Sequence, residues 1–166
     1  CGCNEIGEVL VRSVARMKGY WNLPEETAKT VDGEGWLHTG DAGYLDEDGY
    51  LFIHDRIKDM IVTGGENVYS VEVEAALAEH PAVADAAVIG IPSERWGEEV
   101  VAFVVLRDQR EASPQEIADF LRARLAGFKV PRTISYLQQL PRNPSGKVLK
   151  RELREPFWSG RDRQVS

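Results

Sequence analysis

The run Pro141-Arg-Asn-Pro-Ser-Gly-Lys147-Val-Leu-Lys-Arg151 carries a lysine just past a Ser-Gly pair, on a stretch stiffened by two prolines. A lysine presented in this way is a compact point charge that a loop can deliver to a developing anion. The run imitates a phosphate-binding loop but fails the template: Pro141 replaces the first Gly, Val148 stands where Ser or Thr would meet magnesium, and no strand leads directly into it. A solvated surface lysine gives the same local pattern.

Four other groups of residues are candidates. In Thr39-Gly40-Asp41 a tight turn presents one carboxylate, whose two oxygens suit the vicinal hydroxyls of a sugar; an Asp that caps a turn reads identically. Arg56 and Lys58 lie in a charged joint, Asp55-Arg-Ile-Lys-Asp59, between two differently patterned halves. Gly64-Gly65 allows close backbone approach to a ligand, or simply a turn. Trp96, in the loop Pro92–Gly97, with Phe128-Lys129 and Arg132, offers an aromatic platform and cations for phosphates; an aromatic in a short loop also serves to cover a core edge.

Gly7–Arg12 alternates apolar and polar residues, and Asn22 precedes a short helical segment as its expected cap. Tyr44-Leu45 and Tyr50–Ile53 flank an Asp46-Glu-Asp-Gly49 turn, the pattern of a hairpin. Met60–Val62 predicts a buried strand broken by the glycines, and Ser70 is placed to cap a helix running to Glu79, ahead of Pro81. Val83–Ile91 and Val100–Leu106 predict strands. Ser113-Pro114-Gln115-Glu116 opens a helix with Ile117, Phe120, Leu121 and Leu125 on one face; a strand at Ile134–Leu137 and a basic helical turn at Leu149–Leu153 complete the chain. The fold class is therefore α+β, with residues 59–155 reading β-α-β-β-α-β-loop-α.

The formal charge of −7 argues against general nucleic-acid binding. It is unevenly spread: residues 121–166 carry 11 Lys/Arg and 3 Asp/Glu, a surplus of +8 that suits phosphates or a solvated helix end. Cys1 and Cys3 have no later cysteine to pair with, which makes a reducing cytoplasm the expected setting, and the pair alone is a poor metal site. No apolar run is long enough for a membrane span. The missing initial Met suggests a piece of a longer protein.

Taken together, Gly35-Trp-Leu-His-Thr-Gly-Asp41, Asp55–Glu74 and Pro141–Arg151 resemble, in wording and order, the adenylate-forming enzymes: acyl-CoA synthetases, peptide-synthetase adenylation domains and luciferases. The wording is most similar to the fatty-acyl-CoA synthetase branch. The resemblance, from Gly7 to Phe157, implies that residues 1–55 are the β-rich end of a large N-terminal domain, 56–58 the hinge, 59–157 a mobile small C-terminal domain, and 158–166 a tail. It implies an AMP-forming ligase acting on ATP, CoA and a fatty acid, with magnesium held mainly by the absent large domain and no metal site here. Lys147 is then the catalytic lysine, Asp41 and Arg56 the ribose contacts, and Lys58 the hinge. Gly64, Gly65, Trp96, Lys129 and Arg132 become contacts to CoA. Val62 stands where some members carry Lys, which weakens a luciferase reading, and Val130 where one relative type has Arg. These 166 residues alone are expected to be inactive. An adenylation domain loading a carrier protein, or a binding module for CoA or AMP without catalysis, are the alternatives.

Overall fold

The computed structural model describes residues 1–160, so residues 161–166 of the expected tail lie outside the described part. The chain divides into two compact units, with the boundary between Lys58 and Asp59.

The first unit is a three-stranded antiparallel sheet in the order β1 (Gly7–Val11), β2 (Leu37–Leu45), β3 (Leu51–Arg56), with a short helix α1 (Pro24–Thr30) between β1 and β2. The β2–β3 turn forms as its residues dictate: Asp46 Oδ1 accepts from the amides of Asp48 and Tyr50, and Gly49 takes a φ of 81°. Asn22 does not cap α1. It lies at φ 55°, and Leu23 is the cap residue, while Pro24 supplies the preset first-turn φ. Among the described residues of this unit Ala42 is the only buried apolar side chain larger than glycine, while Leu51, Phe52 and Ile53 lie open.

The second unit has helices on both faces of a small mixed sheet. β4 (Ile61–Thr63) and β5 (Glu66–Val68) form a hairpin through Gly64 and Gly65, whose φ values of 60° and 86° are the two positive angles of a type I′ turn. The long antiparallel pair β6 (Val83–Ser93) and β7 (Gly97–Leu106) is the backbone of the unit. β6 occupies one edge of β7. The other edge carries β4 at the Gly97 end and, in parallel, β8 (Thr133–Tyr136) beside Val101–Val104.

Side chains of β6 and β7 alternate between two cores. Val88, Val100, Ala102 and Val104 pack with Val73 and Leu77 of α2 (Ser70–Ala78) and with Ile117 and Leu121 of α3 (Pro114–Arg122). Ala87, Ile89, Val101 and Phe103 pack on the opposite face with Leu140 and with Leu153 of α4 (Lys150–Trp158). Because both faces are covered, the strands read as nearly continuous apolar runs instead of alternating ones.

The capping box at Ser113 forms in full, with Glu116 returning its carboxylate to the Ser113 amide. Ser70, by contrast, is not the cap residue: Tyr69 occupies the cap of α2, Ser70 is the first helical residue, and its hydroxyl accepts from Lys150 Nζ at 2.7 Å. The basic turn expected at Leu149–Leu153 continues as a helix to Trp158 despite Pro156. Trp158 Nε1 donates to the Gly90 carbonyl at 3.0 Å and holds the end of α4 on β6, so a tertiary contact offsets the missing helical bond.

Candidate functional site

Lys147 lies on a small closed ribbon. The Asn143 amide donates to the Lys147 carbonyl at 2.9 Å, and Arg142 bridges to Val148 in antiparallel fashion. Asn143 Oδ1 accepts from the amides of Ser145 and Lys147 and from the Ser145 hydroxyl, and Gly146 takes the φ of 85° that closes the turn. The flanking cations are engaged: Arg142 pairs with Asp85, and Lys150 Nζ lies 2.7 Å from Glu74 Oε1. Lys147 is exposed, and its ammonium has no hydrogen-bond or ion-pair partner among the described residues. Of the three, it is the cation left for a ligand.

At the β6–β7 turn lies a cleft of about 520 Å³, lined by Gly64, Trp96, Gln115, Arg122, Phe128 and Arg132 among others. Trp96 lies beside two guanidiniums, with Arg95 Cζ 4.6 Å and Arg132 Cζ 5.1 Å from its ring centroid. The Gly64 amide donates to the Trp96 carbonyl at 2.9 Å, which ties the glycine corner to this loop. A flat aromatic face beside cations is suited to a nucleotide base with phosphates. Gly64, Trp96 and Arg132 are thus brought together. Lys129 is not among the lining residues: its Nζ is held at 2.7 Å by both carboxylate oxygens of Glu72. Gly65 is exposed in the adjoining turn, and Val130 is buried in the core. Gln115 and Arg122 were not singled out in the sequence, since an exposed polar residue on an amphipathic helix carries no mark of what faces it.

The cleft and the Lys147 ribbon lie at opposite ends of one strand pair. The ribbon is rooted through Arg142 at Asp85, near the start of β6, and the cleft at Ser93–Gly97, where β6 turns into β7. At ~3.3 Å per residue the roots are roughly 26 Å apart.

In the first unit, Thr39-Gly40-Asp41 lies within β2, not in a tight turn. Glu8 to Leu10 of β1 spans the same stretch as Ala42 back to His38, so β2 carries extra residues and bulges there, with Gly40 at φ 70°. Side chains repair the broken ladder: Thr39 Oγ1 donates to the Val9 carbonyl at 2.7 Å, and Glu8 Oε1 accepts from the Gly40 amide at 3.1 Å. The other Glu8 oxygen lies 2.8 Å from His38 Nδ1, and this hydrogen bond pushes the His38 pKa above its usual value. Asp41 and Arg56 are brought together as cross-strand partners, Oδ1 to Nε 2.7 Å. Lys58 is exposed in a single helical turn, Ile57–Asp59.

Residues 72–147 match the AMP-binding enzyme C-terminal domain. The chain is 53% identical over 161 residues to a fatty acid–[acyl-carrier-protein] ligase, ScoC, of Streptomyces coeruleorubidus, covering 97% of this chain and 31% of that protein. It is 48% identical over 151 residues to the long-chain-fatty-acid–CoA ligase FadD13 of Mycobacterium tuberculosis, covering 91% of this chain and 30% of that protein. Among solved structures, the o-succinylbenzoate CoA synthetase of Bacillus subtilis in complex with its acyl-adenylate intermediate superposes with a TM-score of 0.85 at 42% identity, covering 92% of this chain and 31% of that one. The chain belongs to the adenylate-forming enzyme family, whose C-terminal domain it contains. It spans about 30% of the length of the curated relatives it matches.

Proposed function

We propose that the chain is the C-terminal part of an AMP-forming acid–thiol ligase that joins a fatty acid to CoA. In the first half-reaction a carboxylate oxygen attacks the α-phosphorus of ATP and pyrophosphate leaves; the Lys147 ammonium neutralises charge developing on the oxygens around that centre. In the second, a thiol sulfur attacks the acyl carbonyl and AMP leaves. Asp41 and Arg56 hold the ribose, magnesium travels with ATP and with residues outside this chain, and the Trp96–Arg132 cleft, beside Gly64 and Gly65, receives the nucleotide end of CoA. Lys129, its Nζ 5.8 Å from the Phe128 ring centroid, borders this end and would meet a CoA phosphate by exchanging Glu72 for it.

The observation that carries the reading is the placement of the two sites at opposite ends of β6 and β7. One centre cannot meet both ends of a rigid strand pair at once, which supports a rotation of the small domain about Lys58 between half-reactions. The test is to measure the half-reactions separately in the full-length ligase. Lys147→Ala is expected to abolish carboxylate-dependent ATP–pyrophosphate exchange and to spare thioester formation from supplied acyl-adenylate. Arg132→Ala is expected to do the reverse, raising KM for CoA. Equal loss of both half-reactions in either variant would refute the division of labour.

The 53% identity to a protein named as an acyl-carrier-protein ligase favours a second reading, in which the thiol belongs to a carrier protein. Thioester formation with a phosphopantetheinylated carrier protein but not with CoA would establish it. Micromolar CoA binding by residues 1–166 without any exchange activity would instead favour a binding module.

A further inference from the structure

Among the described residues from Pro141 to Leu149, Arg142 is the one whose side chain bonds outside the loop. One Nη donates to the carbonyl of Gly146, the peptide that leads into Lys147, and the other donates to Asp85 Oδ2 on β6. The other side-chain hydrogen bonds of this stretch are internal, with Asn143 gathering Ser145 and Lys147, while at its base Leu149 donates to Pro141 and Val148 packs on the core around Leu140 and Leu153. Asn143 therefore shapes the tip and Val148 seats the base, while among the described residues only the side-chain hydrogen bonds of Arg142 tie the tip to the sheet. A closed ribbon on a Pro-flanked root keeps its internal geometry however it swings.

The geometry points to Arg142 as the positioning residue for Lys147, a two-point lock that fixes the orientation of the ribbon against β6. The inference rests on the catalytic reading of Lys147 given above. A planar guanidinium presents two separate donors in fixed relation, so a single side chain can hold a carbonyl and a carboxylate at a set angle; a lysine ammonium cannot. Asp85 is itself held, since its Oδ1 accepts from the Ala86 amide at 3.0 Å, so the lock is made to a fixed point on the sheet. The pair is well exposed, at 43% and 35% for the two side chains, and exposed pairs add little to stability. Its removal leaves a folded domain with a differently aimed lysine.

The test begins with residues 1–166 as they stand, comparing wild type, Arg142→Ala and Arg142→Lys by ¹⁵N relaxation and amide exchange. In both variants the Lys147 amide is expected to stay protected by Asn143, while the heteronuclear NOE of residues 143–147 falls and β6 and β7 are unchanged. Wild-type NOE values in Arg142→Ala, or full restoration by Arg142→Lys, would overturn the lock. In the full-length ligase, both variants are expected to lower kcat for adenylation roughly 10- to 100-fold with KM for ATP steady and thioester formation from acyl-adenylate intact, as a misaimed group does. Unaltered adenylation alongside a loosened ribbon would overturn the positioning role. Should Lys147→Ala leave adenylation intact, the catalytic reading of the ribbon fails, and the relaxation data still decide whether Arg142 orients it.

Discussion

Asp41 and Arg56 face each other across β2 and β3, and the carboxylate that would meet a ribose has its Oδ1 2.7 Å from the guanidinium Nε. A carboxylate has two oxygens and a guanidinium five N–H donors, so such a pair retains capacity for a ligand. Both side chains are partly exposed, so the pair adds at most about 1 kcal/mol to stability. Asp41→Asn is therefore expected to shift the urea midpoint little while raising KM for ATP in the full-length ligase roughly tenfold, since a charge-assisted bond to a ligand is worth about 1.5–3 kcal/mol. An unchanged KM would remove Asp41 from the nucleotide site.

Lys147→Ala should be silent in thermal unfolding, because the lysine side chain touches no described partner and its backbone bonds survive the change. Its expected effect lies in adenylation, a loss on the order of 10²–10³ in kcat, typical of removing one preorganised group facing developing charge. Pyrophosphate exchange within a few fold of wild type would sink the assignment.

The two glycines of the β4–β5 turn are not equivalent. An added Cβ at Gly65 meets nothing within 4 Å, so Gly65→Ala costs only the left-handed backbone, about 1–2 kcal/mol. At Gly64 the same atom would lie 3.0 Å from the Trp96 ring, so Gly64→Ala should be the more destabilising and should disturb the indole. Urea titrations read the first difference and Trp fluorescence the second; equal losses would contradict the contact.

Glu8 favours the charged form of His38 and raises its pKa, with Asp32 3.9 Å away adding to the attraction. A histidine whose folded pKa is raised gives stability that is complete below its unfolded value, near 6.5, and is lost as the pH rises through the folded value. Titrating the first unit's unfolding midpoint from about pH 5.5 to about pH 8.5 should show this decline, and His38→Gln should flatten it. A slope unaffected by the substitution would mean that the Glu8 contact does not persist in solution.

The strands of the second unit and the Ser113 helix were legible because local patterns and tertiary demands agreed there. β5 was not, because three residues, Glu66–Val68, are too few to show a period, and the glycines before them read as an ending when they are a reversal. Asn22 and Ser70 carry the chemistry of caps, but Asn22 took a left-handed turn and Ser70 the Lys150 ammonium instead. The motif residues Gly64, Trp96 and Arg132 were named from the sequence, and the cleft that joins them came only with the fold. Lys129 with Glu72, Arg142 with Asp85 and Lys150 with Glu74 are joined only by the folded sheet and helices, and no local spacing signals such pairs.

The strand pair that parts the ribbon from the cleft has an evolutionary consequence. On the proposed reading, substitutions around Trp96 would retune which thiol is accepted while the lysine end is inherited untouched, since the cleft lining and the ribbon share no residue among those described. Diversification of acceptor and preservation of activation chemistry can then proceed as separate histories within a single small domain.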